Sequence, residues 1–404
     1  MSDLEEKKYY RREWIAISHS NLRVSVGAIF IAVLMSIILA SCGNDGASSG
    51  AATPPSSGVG TVMGQTTGQS GTTVVEPQEI GMNVGDNFAL ISDKALDEAM
   101  ADMSALGLTW IRFDMSWDLI QPQENNQYTW SRYDRIVAAA SRHGIKSLPI
   151  LTYTPQWARL QACKENFQCA PADPAKFATF TGEAAKHYKP MGIDTWEIWN
   201  EPNIDAFWKP DPDAVAYVDL LKGAYKQIKQ VDPNATVISG GLSPAENVEG
   251  RVAPIDYLKS MYQNGARDYF DALGYHPFSY PALPSEVLSW SNWSQMSDLN
   301  PSIRSTMVAN GDSDKKIWAT EYGVPTDGLD SVNETLQALS YRDVFPQIAD
   351  KPWLATLFFH TYKDYGNDPY AVNNYFGIIR KDGTRKPAYD VLKGIMAARE
   401  KPAP

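Results

Sequence analysis

Residues 174–200, PAKFATFTGEAAKHYKPMGIDTWEIWN, contain the repeating unit that decides the fold. The segment Pro174–Tyr188 has the apolar spacing of an amphipathic helix, and Pro190 and Gly192 follow as helix-ending residues. Thr195–Asn200 is then a short apolar run without strict alternation, which is typical of a strand buried on both faces. The segment therefore predicts a helix that leads into a strand of a parallel sheet.

The same alternation of apolar runs and amphipathic stretches continues along the chain. Helices are predicted over Ser92–Ala105, Trp130–His143 and Asp213–Val231 as well. Eight strands over roughly 310 residues favour a (β/α)8 TIM barrel of the α/β class over an open doubly wound sheet. No Gly-rich phosphate loop follows the first strand, which argues against a dinucleotide-binding fold. The predicted strands are Ile80–Val84, Trp110–Met115, Ser147–Tyr153, Thr195–Asn200, Thr236–Gly240, Ala272–His276, Lys316–Thr320 and Leu354–Phe359.

The composition restricts the classes of ligand. The 404 residues are 44% hydrophobic and 11% aromatic, which excludes a mainly disordered chain. A formal net charge of −11 argues against nucleic acid as a partner, because phosphate backbones are repelled. The 12 Trp and 20 Tyr residues suit a neutral, ring-shaped ligand.

The N-terminal segment is predicted to be a targeting signal. Basic residues precede the apolar run 24–40, which ends in LASCG and resembles a bacterial lipobox with Cys42 as the lipidated residue. Residues 1–41 are therefore expected to be a lipoprotein signal peptide or, alternatively, an uncleaved membrane anchor. Residues 42–78 are rich in Gly, Ser, Thr and Pro and are predicted to be a flexible linker to the barrel domain, 79–404. The domain is thus expected outside the cytoplasm, tethered to a bacterial membrane.

The remaining two cysteines form an even pair. Cys163 and Cys169 lie within one predicted loop, and an oxidising compartment favours a disulfide between them.

Polar residues follow the predicted strands at the rim where TIM barrels carry their chemistry. Glu201 follows the fourth strand and Glu321 the seventh, so the two carboxylates should face each other across the barrel mouth. Opposed carboxylates suit the cleavage of an acetal, since one delivers a proton while the other meets the anomeric carbon. A separation of about 5–5.5 Å would give retention of configuration, and a wider one inversion.

Two motifs carry a resemblance to a known group of enzymes. WEIWNEPN, residues 196–203, resembles the strand-four signature of the clan A retaining glycoside hydrolases, and IWATEYG, residues 317–323, is similar to their strand-seven nucleophile segment. Over roughly 79–395 the chain most resembles glycoside hydrolase family 39, which includes β-xylosidases and bacterial exopolysaccharide endoglycosidases. FGIIRKDGTRKPAY, residues 376–389, is similar to the short β-hairpin that follows strand eight in such enzymes.

The resemblance implies roles for four residues. Glu201 would be the general acid/base and Glu321 the nucleophile. Asn200 would hydrogen-bond the substrate 2-hydroxyl, and Arg112 would hold the nucleophile ionised. Because carboxylates supply both proton transfer and covalent capture, neither a metal ion nor an organic cofactor is expected.

The sequence departs from the clan pattern at two strands. Clan members often carry His-x-Tyr on strand six, whereas here Pro277 and Phe278 follow His276, so that Tyr280 or Tyr322 would have to replace the tyrosine. Strand eight often supplies a Trp platform beneath the sugar. Here it ends in Phe359-His360-Thr361-Tyr362, which makes His360 and Tyr362 candidate substrate-binding residues.

Further candidates come from aromatic side chains and from strand alternation. Tyr153 and Trp157 are predicted to stack on sugar rings at the rim. His276 is either a subsite residue or an ordinary buried histidine. Alternation along the fourth strand turns Glu197 away from the neighbours of Glu201, which favours a structural role. Weaker candidates for outer subsites are Trp208, Trp290 and Trp293.

Three functions follow from these features. The first is a retaining glycoside hydrolase, expected to be monomeric, that acts on an oligosaccharide or polysaccharide outside the cytoplasm. The second is a transglycosylase, in which a sugar hydroxyl replaces water. The third is a non-catalytic carbohydrate-binding protein on the same barrel, which the presence of both glutamates disfavours.

Overall fold

A computed structural model of the chain describes residues 78–328, 331–366, 368 and 370–399. The predicted (β/α)8 barrel is confirmed, since eight parallel strands form a closed barrel in sequence order and the first pairs with the eighth. The strands are β1 (Glu79–Asn83), β2 (Trp110–Ser116), β3 (Lys146–Thr152), β4 (Thr195–Asn200), β5 (Thr236–Gly241), β6 (Ala272–Tyr275), β7 (Lys316–Tyr322) and β8 (Leu354–His360).

Helices cover the outside of this barrel. Each of the four predicted helices is present to within two residues. The α-helices of the described residues are α1 (Asp93–Ala105), α2 (Trp117–Ile120), α3 (Ser131–Arg142), α4 (Pro174–Tyr188), α5 (Ala214–Val231), α6 (Pro254–Gln263), α7 (Asn292–Ser297), α8 (Ile303–Ala309), α9 (Glu334–Ala349) and α10 (Pro387–Arg399).

The unit α4–β4 shows how the sequence produces these elements. Asp173 caps α4 by accepting a hydrogen bond from the backbone N–H of Ala175, and Pro174 needs no such partner in the first turn. Gly192 ends the turn after the helix with a left-handed φ of 88°, a conformation that glycine adopts without strain. The helix buries Phe177 and Phe180 against the barrel, and β4 is buried along its whole length.

The barrel interior is apolar at one end and polar at the other. The layer nearest the strand N-termini is filled by a separate apolar cluster, so this end is closed by packing. Charged side chains follow toward the strand C-termini, beginning with Arg112 two residues after Trp110. The site therefore lies above a rigid apolar floor. The cluster consists of Trp110, Leu148, Ile238, Ala272, Trp318 and Phe358.

The predicted hairpin after β8 is short. Ile379 and Arg385 form an antiparallel bridge, and the run ends earlier than predicted because Pro387 begins α10. The predicted disulfide between Cys163 and Cys169 is present in the loop after β3.

No helix in the described part of the chain is long and apolar enough to cross a membrane. The predicted signal or anchor at 1–41, the lipidation site Cys42 and the linker up to residue 77 lie outside the described residues.

Candidate active site

Two glutamates distant in sequence converge at the C-terminal mouth of the barrel. Glu201 follows β4 and Glu321 lies near the end of β7. One carboxylate oxygen of each, together with one ring nitrogen of His276, lie within 4.8 Å of one another. Glu201 is 9% exposed, so this cluster lies at the bottom of the mouth rather than on the outer surface.

The backbone around Glu201 is bent out of the regular strand conformation. Trp199 and Glu201 have φ angles of 69° and 46°, in the left-handed region that side-chain-bearing residues rarely adopt. The indole of Trp199 turns to the outside of the barrel, where it packs against Phe177 and donates a hydrogen bond to the Phe207 carbonyl. The Glu201 N–H is held by the carbonyl oxygen of Gly241 at 3.0 Å. Non-glycine residues in such conformations cluster at functional sites.

This bend overturns the predicted orientation of Glu197. Regular alternation would put Glu197 and Asn200 on opposite faces of β4, but both bond the same guanidinium inside the barrel. The outward turn of Trp199 interrupts the alternation and brings Asn200 back to the inner face. The structural role expected for Glu197 is consistent with its complete burial in this ion pair.

Arg112 connects β2, β4 and β7 through one buried guanidinium. Its Nε and Nη2 donate to the two carboxylate oxygens of Glu197 at 2.6 and 2.9 Å. Nη2 also donates to Asn200 Oδ1 at 2.8 Å, and Nη1 donates to Glu321 Oε1 at 2.7 Å. Burial opposes the charge, but Glu197 and Glu321 outweigh burial and raise the pKa of Arg112. A permanent cation therefore adjoins Glu321.

Glu321 is held in its ionised form. Burial favours its protonated form, yet His276, His360 and Arg112 outweigh burial and lower the pKa of Glu321 to about 2. An ionised carboxylate is the state that a nucleophile at an anomeric carbon requires.

His276 lies between the two glutamates and is completely buried. Its Nδ1 is 2.8 Å from Glu201 Oε1, while its Nε2 is 3.5 Å from Arg112 Nη2 and 3.9 Å from Glu321 Oε1. The ring thus contacts Glu201 through one nitrogen and faces Arg112 and Glu321 with the other. A Cβ on Gly241 would lie 2.2 Å from His276 Nε2, so only glycine leaves space for this ring.

His360 faces Glu321 from the opposite side, at the end of β8. Its Nδ1 lies 3.8 Å from Glu321 Oε2 and 2.8 Å from Asn83 Nδ2, at the end of β1. Burial lowers the pKa of His360, although Glu321 opposes this, so the ring is neutral near pH 7. Asn83 received no role from the sequence, although a polar residue at the end of the first strand belongs to the same rim.

A second pair of carboxyl groups lies at the rim beside β2. Tyr153 donates a hydrogen bond of 2.9 Å to Asp114 Oδ2. Burial, with a contribution from Asp86, raises the pKa of Asp114 to about 7, and burial raises the pKa of Asp86 to about 6. Neither aspartate was predicted to have a role, although Asp114 lies on the same strand as Arg112.

Two other predicted substrate-binding residues bond or pack against neighbouring elements of the barrel. Tyr362 donates its hydroxyl hydrogen to Asp102 of α1, so its hydroxyl is occupied, and the substrate-binding role predicted for it stays a prediction. Trp157 donates to the Gln121 carbonyl and lies beneath Lys176 while it packs on Trp117, which is a packing role.

The two tyrosines proposed to replace the clan's strand-six tyrosine have different surroundings. Tyr322 bonds Ser340 in the outer core, because alternation along β7 turns it away from Glu321. Tyr280 packs against Phe278 and Phe376, and Phe278 in turn packs against His360. Arg112, His276 and His360 are all close enough to Glu321 to act on its pKa.

The three loop tryptophans differ in exposure. Trp208 and Trp293 are buried against Trp199 and Tyr322, so the prediction that they form outer subsites is wrong. Trp290 is 50% exposed in the loop after β6 and stays a candidate.

The site contains a possible set of metal ligands. Within the described part of the chain, one group has its ligand atoms close enough for a metal ion, namely Glu201, His276 and Glu321. The guanidinium of Arg112 lies 2.7 Å from Glu321, and its positive charge opposes a cation there. His276 Nδ1 is also committed to Glu201. The arrangement is therefore suited to proton transfer and nucleophilic attack by carboxylates.

Comparisons with known proteins agree with this architecture. Residues 68–348 match the family described as Cellulase (glycosyl hydrolase family 5). The fold is similar to a family 39 glycoside hydrolase from the gut symbiont Bacteroides cellulosilyticus WH2, with TM-score 0.64 and 21% identity over 81% of this chain and 65% of that chain. It is also similar to a monomeric beta-xylosidase from Caulobacter crescentus CB15, with TM-score 0.57 and 19% identity over 79% and 68% of the two chains. Xylanase 10B from Thermotoga maritima matches with TM-score 0.56 and 18% identity over 80% and 95%.

Proposed function

Since the chain belongs to the cellulase family, glycosyl hydrolase family 5, and is a glycoside hydrolase with a carbohydrate substrate, we propose that it cleaves O-glycosidic bonds with retention by double displacement. The observation that carries the proposal is the approach of one oxygen each of Glu201 and Glu321 to within 4.8 Å. This closeness matches the spacing of retaining enzymes, about 5–5.5 Å, and leaves little room for the water that inversion needs between carboxylate and sugar.

In the first step Glu321 attacks the anomeric carbon. The ionised state of Glu321, maintained by Arg112, makes its carboxylate available as the nucleophile. The bond between the anomeric carbon and the leaving oxygen breaks, and Glu201 transfers its proton to that oxygen. Because Glu201 Oε1 is engaged by His276, the catalytic proton is carried on Oε2.

In the second step Glu201 removes a proton from water, and the water oxygen displaces Glu321 from the anomeric carbon. Two inversions at the same carbon give net retention. Asn200 donates its amide Nδ2–H to the 2-hydroxyl of the sugar, since its Oδ1 already accepts from Arg112. Glu197 neutralises Arg112 and fixes the plane of the guanidinium, so that Nη1 points at Glu321.

The finer assignment is to substrates of the family 39 type, that is, β-xylosides or bacterial exopolysaccharides. The motifs WEIWNEPN and IWATEYG and the fold shared with the family 39 structure support this assignment. The polar site also supports it, because hydroxyl-rich sugars match the hydrogen-bonding groups of Asn200, Tyr153 and Asp114.

A panel of nitrophenyl glycosides and bacterial polysaccharides tests the proposal with the full chain. We expect hydrolysis of at least one β-glycoside, with first products of unchanged anomeric configuration by proton NMR. Glu321→Gln should lower kcat by about 10⁴-fold or more and leave ligand affinity in place. The matched control Glu98→Gln changes an exposed glutamate of α1 and should behave as the wild type. Inverted first products, or equal turnover by wild type and Glu321→Gln, would refute the mechanism.

We also propose that the enzyme is a monomer tethered outside the cytoplasm through Cys42. The lipobox-like sequence and the linker 42–78 support the tether, and the disulfide fits an oxidising compartment. In a bacterial host, Cys42→Ala should abolish incorporation of labelled palmitate and shift the protein from the membrane fraction. An unchanged membrane fraction without palmitate would favour the uncleaved anchor, and a stable dimer in light scattering would refute the monomer.

A further inference from the structure

The pairing of Asn83 with His360 fixes the protonation of a residue at the catalytic mouth. The two residues are register partners across β1 and β8, the seam at which the barrel closes. Asn83 Nδ2 lies 2.8 Å from His360 Nδ1, and the N–H of Gly85 donates to Asn83 Oδ1 at 3.4 Å. The second contact orients the amide, because a flipped group would place its NH2 against the Gly85 N–H.

An amide nitrogen can only donate a hydrogen bond, so His360 Nδ1 must accept one and carries no proton. The ring proton is then on Nε2. Burial disfavours the imidazolium form, which would put a proton on Nδ1 against the amide hydrogens of Asn83. His360 is thus a neutral imidazole with a single donor, Nε2–H.

This donor is free to bond a ligand. The His360 side chain is 17% exposed, and Nε2 has no hydrogen-bond partner among the described residues. Phe278 and Phe376 pack against the ring, with centroids 6.4 and 5.1 Å from its own, and keep it in place. The other ring nitrogen is 3.8 Å from Glu321 Oε2, so a sugar positioned for attack by Glu321 lies next to His360.

We propose that His360 recognises the sugar at the cleavage site by donating Nε2–H to one of its neutral oxygen atoms, with Asn83 as the residue that fixes this tautomer. The inference rests on the proposed hydrolase function. The acceptor is a hydroxyl or ring oxygen rather than a carboxylate, because the ionised Glu321, 3.8 Å from the His360 ring, would repel a second anion. The chain thus selects neutral sugars by a hydrogen bond at the position where clan members often present a flat Trp.

The first measurement concerns the free protein and needs no activity. In the full chain labelled with ¹⁵N-histidine, long-range ¹H–¹⁵N spectra at pH 7 to 8 should show His360 as the neutral Nε2–H tautomer, with the signals assigned by their loss in His360→Phe. Asn83→Asp places an acceptor beside Nδ1 and should move the proton to Nδ1. A charged or Nδ1–H ring in the wild type would overturn the proposal.

The second measurement concerns recognition. The parent substrate is the nitrophenyl β-D-xyloside, glucoside or mannoside that the protein hydrolyses. It is compared with its mono-deoxy analogues and with the nitrophenyl β-D-glucuronide. The wild type should prefer the parent over one deoxy analogue by about tenfold or more in kcat/KM and should reject the glucuronide. His360→Phe should lose that preference, His360→Gln should recover part of it through its amide N–H, and Asn83→Asp should weaken it. His143→Phe is the matched control, because His143 follows α3 at the opposite end of the barrel and contacts Asp97.

Two results would contradict the recognition role. One is an unchanged preference in His360→Phe, and the other is faster hydrolysis of the glucuronide than of the neutral parent. If no glycoside is hydrolysed, the proposed function fails, and the NMR spectra alone then decide whether His360 has the inferred tautomer.

Discussion

Arg112 and Glu197 form a two-bond ion pair inside the barrel, with both side chains completely removed from solvent. The pair lies between the apolar floor and the catalytic mouth. Its remaining donor, Nη1, reaches Glu321 at 2.7 Å. Because an unpaired buried charge is costly, each member of this network stabilises the position and charge of the others.

Glu197→Gln should destabilise the protein through loss of this pair. The substitution keeps the shape but leaves Glu321 as the one carboxylate that bonds Arg112 directly among the described residues. We expect the free energy of unfolding to fall by about 3 kcal/mol in urea denaturation. The exposed substitution Glu98→Gln should change it by less than about 0.5 kcal/mol. Equal stabilities of the two variants would show that the pair contributes nothing.

The low pKa of Glu321 predicts the acidic side of the pH–rate profile. Glu321 must be ionised to attack, so protonation of this group should not reduce kcat/KM until the pH approaches about 2, provided the fold persists. The double variant Arg112→Gln/Glu197→Gln removes the buried pair together with the cation beside Glu321. Its acidic limb should lie at higher pH by at least about one unit. An acidic limb at the same pH in both proteins would show that Arg112 does not lower the pKa of Glu321.

The same pKa predicts a contribution to stability. The folded-state pKa of Glu321 lies below its ordinary value of 4.5, so this contribution is present above pH 4.5 and is lost as the pH falls toward 2. In Glu321→Gln, the free energy of unfolding should decline less steeply than in the wild type over this window. Parallel declines in urea denaturation series would contradict the assignment.

The contribution of Asp114 to the free energy of unfolding should change with pH in the opposite direction to that of Glu321. Its folded-state pKa is raised from 3.8 to about 7, so its contribution is favourable below pH 3.8 and is lost as the pH rises through 7. Asp114→Asn removes this loss and still offers an oxygen to Tyr153. Relative to the wild type, the variant should gain about 2 kcal/mol between pH 5 and pH 8. The control Asp93→Asn, on the surface, should show no such gain, and a constant difference between Asp114→Asn and the wild type would refute the raised pKa.

Trp290 tests whether the loop after β6 extends the binding site. Its exposed indole is suited to stacking on a sugar ring. Trp290→Ala should raise KM several-fold for a polysaccharide and leave kinetics on a nitrophenyl monosaccharide unchanged. A uniform change on both substrates would indicate that the residue supports the loop rather than a distant sugar.

The strand pattern and the motif WEIWNEPN were sufficient to predict the barrel and the meeting of Glu201 with Glu321, because strand C-termini share one rim. The hydrogen bonds around Arg112 could not be predicted in the same way. Asn200 and Glu197 bond one guanidinium because Trp199 turns outward. The regular alternation of side chains along a strand cannot predict this local change in the backbone. Trp208 was wrong as a candidate for a related reason, since a tryptophan in a loop does not specify whether its ring packs in the core or lines the mouth.

The most direct test of the central claim is the trapping of the covalent intermediate. An activated 2-deoxy-2-fluoro glycoside of the preferred sugar slows the second step, so the full chain should gain the mass of one fluorosugar. Peptide mapping should place it on Glu321, and Glu321→Gln should gain none. A sugar attached to another residue, or a wild type that hydrolyses its substrate with inversion and forms no adduct, would contradict the two-glutamate mechanism.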